Sequence, residues 1–261
     1  MKSKISPNRG RNSFFDDPAV REARKAVLGR DPTATLIIGH PGTGKTTLAA
    51  TYEQPYWFCF DNKMAAIPKK QRDKVKTFNY GDPVHAILLA IMEDMKDIDL
   101  VRELGVKTVV IDTITSMCTY IEAEILRDKN LNPKGANALQ LQHYNIIGTR
   151  IVELINVCKE AGLDLVMLAH IDEILDDDQE IICHPNVTGK KLETKIAGQF
   201  DNVLYTMVEK DKYLTRLKSS PKYPHAKLGI SKKANKLLAP KTVDLTYPKL
   251  CAIMSKKPTT K

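Results

Sequence analysis

Residues Gly39-His40-Pro41-Gly42-Thr43-Gly44-Lys45-Thr46 fit the pattern G-x-x-x-x-G-K-[ST] in full. This is the loop that cradles polyphosphates. Its glycines let the backbone curl until several N–H groups point at one anion, and a helix starting at its end adds the positive end of its dipole. Lys45 is expected against the β- and γ-phosphates, and the Thr46 hydroxyl on Mg²⁺. Thr47 joins the eight motif residues as a nucleotide contact. ATP and Mg²⁺ are therefore the expected ligands. The plain alternative is a chance glycine-rich turn.

Such a loop needs a carboxylate at a neighbouring strand tip to hold the metal through water. Lys107-Thr108-Val109-Val110-Ile111-Asp112 is an apolar run ending in one, although a strand-ending Asp also caps helices. Thr113 follows, so no Glu stands there to orient water. Asp61, after the aromatic run Tyr56 to Phe60, is the nearest candidate base, and before Asn62 it also makes a good turn residue. His170 ends the run Leu163 to Ala169 and is either a γ-phosphate sensor or a structural histidine. Ligands of α/β sheets sit outside the carboxyl ends of the strands, so three polar tips suit one site.

Alternating elements must position these groups. Thr35 to Ile38 reads as a buried strand, and Thr47 to Ala50 as the opening of a helix. Strands follow at 56–60 and 75–78, a helix from Asp82-Pro83 to about Met95, a strand at 107–112, helices over 113–127 and about 139–161, and a strand at 163–169. Short strands at 173–175 and 180–182 flank a turn at 176–179. A short helix is expected over 188–199, and a hairpin pairs 203–208 with 213–217. Strands alternating with helices imply an α/β fold with a mostly parallel sheet and helices on both faces. The strands that accumulate after His170 are expected to extend that sheet in antiparallel fashion. The expected organisation is a basic segment with one helix over 1–30, a core over 31–250 and a basic tail over 251–261.

The charge is uneven. Residues 1–30 hold 8 basic against 3 acidic residues, residues 31–204 hold 18 against 25, and residues 205–261 hold 14 against 3, for a net +9. Basic ends around an acidic core suggest a polyanionic partner, most simply nucleic acid, or merely solubilising tails. Five scattered cysteines form no C-x-x-C pair and read as reduced thiols. The sequence has no run of 18 apolar residues and no apolar signal core at its start, so no membrane segment is expected and a cytoplasmic location follows.

Together, Pro41 to Thr47, Val109 to Thr115 and Leu168-Ala169-His170 resemble the RecA-like P-loop core ATPases, in particular the phage-type single-strand DNA annealing group. Phe200 to Tyr205, Tyr213 to Leu217 and Lys227 are similar to that group's tail. The resemblance covers about residues 33–232. It implies that Lys45, Thr46 and Asp112 form the nucleotide and Mg²⁺ site, and that His170 signals to a DNA-binding loop within 171–199, where Lys190, Lys191 and Lys195 lie. It also implies that Arg216, Lys218 or Lys227 reaches a neighbouring subunit's phosphates in a filament or ring. Single-stranded DNA and a single-strand-binding protein are the expected partners. One departure stands out: RecA itself has a Glu base two positions after an Asp that ends the second strand, and if Asp61 matches that Asp the base position here is Lys63. Three other readings stay open, the first a non-enzymatic nucleotide switch, since the hydrolytic base is not fixed. A P-loop kinase of a small substrate would need an arginine-rich lid, and 113–161 holds only Arg127 and Arg150. An AAA+ helicase loader would need a helical lid domain after the core.

Overall fold

The computed structural model describes residues 31–255 apart from 62, 134, 136 and 189. The basic segment 1–30 with its expected helix, and the end of the tail, lie outside the described residues. The chain builds strands β1 (Ala34–Gly39), β2 (Pro55–Cys59), β3 (Val75–Thr77), β4 (Thr108–Asp112), β5 (Asp164–Ala169), β6 (Ile171–Leu175), β7 (Ile181–Pro185), β8 (Asn202–Glu209), β9 (Lys212–Arg216) and β10 (Lys241–Val243). Its α-helices are α1 (Lys45–Ala49), α2 (Val84–Lys96), α3 (Ile98–Glu103), α4 (Ile114–Arg127), α5 (Leu141–Glu160), α6 (Lys190–Gln199), α7 (Lys232–Leu237) and α8 (Tyr247–Ser255).

The main sheet has the order β10-β9-β8-β1-β5-β4-β2-β3. Every pairing from β8 through β3 is parallel, and β9 and β10 add on antiparallel. β1, β4 and β5 are buried along their whole length, as strands covered on both faces must be. Side chains alternate between two cores. Leu36, Ile38, Val109, Ile111, Leu165 and Met167 face α2, α4 and α5. Ile37, Val110, Val166, Leu168 and Leu204 face α1 and α8. The expected α/β architecture, a mostly parallel sheet with helices on both faces and an antiparallel extension, is thus observed.

Three details differ from the sequence-based expectation. The strands 171–175 and 181–185 form a separate two-stranded sheet rather than extending the main one. β8 runs parallel to β1, so the antiparallel extension begins only at β9. Strand patterns report which face is buried and not the direction of the neighbour. Finally, α8 crosses the boundary placed at residue 250 and packs Tyr247 and Leu250 into the second core.

The start of β1 is clamped. Thr33 N and Oγ1 donate to Asp164 Oδ1 at 2.8 and 3.0 Å, and Ala34 N donates to Asp201 Oδ2 at 2.8 Å. Tyr247 Oη donates to Asp164 Oδ2 at 3.2 Å, tying α8 to the same carboxylate. No helix among the described residues is long and apolar enough to cross a membrane.

Candidate functional site

The register brings the strand tips level. Gly39 pairs with Thr206, Ile38 with Ala169, and Asp112 with Leu168 and Cys59. Alternation then puts Asp112, two residues beyond Val110, on the α1 side of the sheet. Lys45, Thr46, Asp112, Asp61 and His170, expected together from sequence, converge at this one edge.

The loop is shaped by close approach as well as by backbone freedom. Gly42 and Gly44 take positive φ of 79° and 88°, and Gly44 caps α1. At Gly39 the reason for glycine is space: a Cβ there would lie 2.4 Å from Thr206 Oγ1, 2.6 Å from Thr43 Oγ1 and 2.7 Å from Thr206 O. Thr43 Oγ1 donates to His40 O at 2.8 Å and shares a 2.8 Å hydrogen bond with Thr206 Oγ1. Lys45 Nζ donates to Gly39 O at 2.8 Å and His40 O at 2.9 Å. Burial lowers its pKa to about 8, against the opposing pull of Asp112 and Asp61. Pro41, Gly42 and Thr47 are exposed at the mouth of the loop.

Thr46 Oγ1 donates to Asp112 Oδ2 at 3.1 Å. Burial raises the Asp112 carboxyl to about 6, with neighbouring Asp61 adding to the rise. Asp112 is followed by a cis peptide to Thr113. Thr113 caps α4, its Oγ1 accepting from Ser116 N at 3.2 Å.

That first turn of α4 holds both remaining groups. Asp61 Oδ1 accepts a short hydrogen bond from Ser116 Oγ and one of 3.3 Å from Thr113 Oγ1. His170 Nε2 stands 3.5 Å from Asp61 Oδ2. Burial pushes Asp61 up, but hydrogen bonds from His170 and Ser116 outweigh it, and its pKa lies below the ordinary carboxylate value. The backbone of His170 is fixed by Thr115 Oγ1, which accepts from His170 N at 3.0 Å and donates to Asn186 O at 2.7 Å. His170 Nδ1 is buried without a hydrogen-bond partner. Lys63 is exposed, and its charge helps to lower Asp61.

The remaining candidates lie away from this edge. Arg216 pairs with Tyr205 and faces the other side of the sheet, its guanidinium 4.9 Å from the Tyr223 ring centroid. Lys218 is half-buried, and its carbonyl accepts from Arg216 Nη1 at 3.5 Å. Lys227 pairs with Val203, three residues before Thr206 and so roughly 10 Å below the loop at strand rise. Its amine donates to Gly198 O at 3.4 Å. Lys195 is exposed on α6, whereas the side chains of Lys190 and Lys191 lie outside the described residues. The segment expected to carry a DNA-binding loop is divided: 171–185 is a hairpin with six acidic residues and no Lys or Arg, so the cations of 171–199 all belong to α6.

Sequence reasoning missed Thr206, Ser116, Glu173 and Tyr213. Glu173 Oε1 lies 3.5 Å from His40 Nε2 of the loop. Thr206 is the last buried residue of β8, inside the strand rather than at its tip, so it did not stand out as His170 did. The other three are placed by register and have no local signature.

A family profile described as an AAA domain (AAA_24) matches residues 31–233. No curated protein matches the chain. Among solved structures, a KaiC-like protein from the hyperthermophilic archaeon Pyrococcus horikoshii OT3 is 16% identical, with 72% of this chain and 78% of that chain covered and a TM-score of 0.42.

Proposed function

The chain belongs to the AAA domain family and is a nucleotide-binding ATPase-type domain, and from that premise we propose that it uses ATP and Mg²⁺ to bind single-stranded DNA as a homo-oligomer and promote strand annealing. The observation that supports this reading best is the convergence of Lys45, Thr46, Asp112, Asp61 and His170 on one sheet edge, with His170 leading directly into β6.

The site suits a hard divalent cation, since Thr46 Oγ1 and Asp112 Oδ2 are the oxygen donors Mg²⁺ takes beside water and phosphate. When bound, Mg²⁺ neutralises charge on the β- and γ-phosphates. Lys45 turns from its own loop carbonyls to the phosphate, and the polyanion restores the ammonium that burial disfavours. Asp61, held by Ser116 and His170, is the group placed to accept a proton from water. Its low pKa makes it a weak base, so turnover is slow. His170 reports the phosphate state to the hairpin and α6. Arg216, Lys218 and Lys227 act on the phosphates of a neighbouring copy; Arg216 and Lys227 pair with Tyr205 and Val203, on the face of the sheet away from the loop of their own chain. DNA contact is electrostatic, through Lys195, Lys190 and Lys191 on α6 and the basic residues after 205, and weakens steeply with salt. A single-strand-binding protein fits as an accessory partner.

Two observations weigh against the other readings. Arg127 lies by Tyr80, and Arg150 by Glu153 and His85, so neither forms a kinase lid. The described helices after β9 are α7 and α8, and α8 packs on the core rather than forming a loader's lid domain. The test is ATP hydrolysis and annealing of complementary strands by wild type and Lys45→Ala, with and without single-stranded DNA. DNA-stimulated turnover that Lys45→Ala abolishes is the expected result. Absence of DNA binding at low salt would sink the annealing role, and phosphate transfer to a small acceptor would favour the kinase.

A further inference from the structure

Asp61, Asp112 and His170 sit at the tips of β2, β4 and β5, all on one side of β1 in the sheet. A triphosphate whose metal-bound end lies at Thr46 and Asp112 therefore leaves the loop on the other side, over β8 and β9. There the chain presents Tyr213.

Tyr213 stands opposite Val208 in the β8–β9 ladder. Val208 lies two residues beyond Thr206, which touches the loop, and four beyond Leu204, which packs against α1. Cross-strand partners share a face, so Tyr213 projects on the α1 side. Its ring atoms Cδ1 and Cε1 come within 3.3 and 3.7 Å of where a Cβ on Gly44 would be, directly beside the last glycine of the cradle. The backbone is held on both sides, by β8 and by Asp244 N, which donates to Tyr213 O at 3.0 Å. Yet Tyr213 is 52% exposed, and its neighbour Val208 is 47% exposed. A rigidly mounted aromatic ring and a bare valine thus lie side by side at the nucleoside end of a phosphate loop.

We infer that Tyr213, flanked by Val208, is the platform on which the base of the bound nucleotide stacks, and that it favours the larger ring system of a purine. The inference rests on the nucleotide reading above. A base offers its π-face whatever its hydrogen-bonding edge, so the platform selects purine over pyrimidine by area and discriminates weakly between adenine and guanine.

The test compares equilibrium binding of ATP, CTP and inorganic tripolyphosphate, each with Mg²⁺, to wild type, Tyr213→Ala and Tyr213→Phe. Tripolyphosphate has no base, so it reads the loop alone and reports that the variants are folded. Tyr213→Ala is expected to lose about tenfold in ATP affinity, as one base–aromatic stack commands, with a smaller loss for CTP and none for tripolyphosphate. Tyr213→Phe keeps wild-type affinity. Unchanged ATP affinity in Tyr213→Ala overturns the platform, and so does an equal loss for ATP and tripolyphosphate, which would make the ring a prop for the loop. Failure of wild type to bind either triphosphate or tripolyphosphate instead refutes the nucleotide reading itself.

Discussion

Gly39→Ala adds one methyl group where β1 meets β8, and its cost can be worked from contacts. The new Cβ would meet Thr206 Oγ1 at 2.4 Å, Thr43 Oγ1 at 2.6 Å and Thr206 O at 2.7 Å. The two hydroxyls can rotate away only by giving up their mutual hydrogen bond, worth about 1 kcal/mol. The carbonyl belongs to β8 and moves only if the strand does. Overpacking of this kind costs about 1–3 kcal/mol, for a total of about 2–4 kcal/mol and a fall in Tm of roughly 5–15 °C for a domain of this size. Thermal unfolding followed by circular dichroism measures it, and ATP binding should weaken in parallel because Thr43 shapes the loop. Adding Thr206→Ala removes the shortest contact and leaves the carbonyl one, so it restores stability only in part. A Gly39→Ala protein that melts within 2 °C of wild type and binds ATP normally would refute the close-packing argument, and complete rescue by Thr206→Ala would refute the role given to the β8 backbone.

Two further outcomes follow from groups whose surroundings are known. Burial holds Asp112 near 6, so the Mg²⁺-dependent part of ATP affinity should fall about tenfold per pH unit below 6, whereas an ordinary carboxylate would stay ionised to about pH 4. For the nucleotide-free protein the sign is reversed: a raised carboxyl pKa adds stability that is full below about pH 4 and is lost as pH rises through 6. Asp112→Asn should flatten both profiles in calorimetric titrations. Tyr247→Phe removes the hydroxyl that donates to buried Asp164 and should cost about 1–2 kcal/mol in urea unfolding. No loss there would show that this hydroxyl does not hold α8, whose Tyr247 N also donates to Thr51 Oγ1 at 2.7 Å.

Legibility in the sequence followed from how much of each feature is local. β1, β4 and β5 were readable because strands covered on both faces are continuous apolar runs. α4 and α5 were readable within a residue or two because their apolar positions recur at helical spacing. α3, α7 and β10 are six, six and three residues long, too short for a period to show. The parallel partnership of β8 with β1 joins residues more than 160 apart, and nothing near Val203 encodes it. The site divides the same way. Lys45, Thr46 and Asp112 are visible because a motif and a strand tip are contiguous in the chain. Ser116 on Asp61, Glu173 by His40 and Tyr213 by Gly44 exist only once the strands are in register.

Lys45 has partners within its own loop. An ammonium has three protons to give, and two of those on Lys45 are committed to Gly39 O and His40 O. Arrival of a ligand is thus an exchange and not an addition: bonds already made must be released before new ones form. That release is a cost the incoming ligand has to offset. A chain of phosphates that also engages the loop amides and Thr46 does compensate. The two carbonyls thus hold the Lys45 ammonium within the loop, where a polyphosphate would meet it.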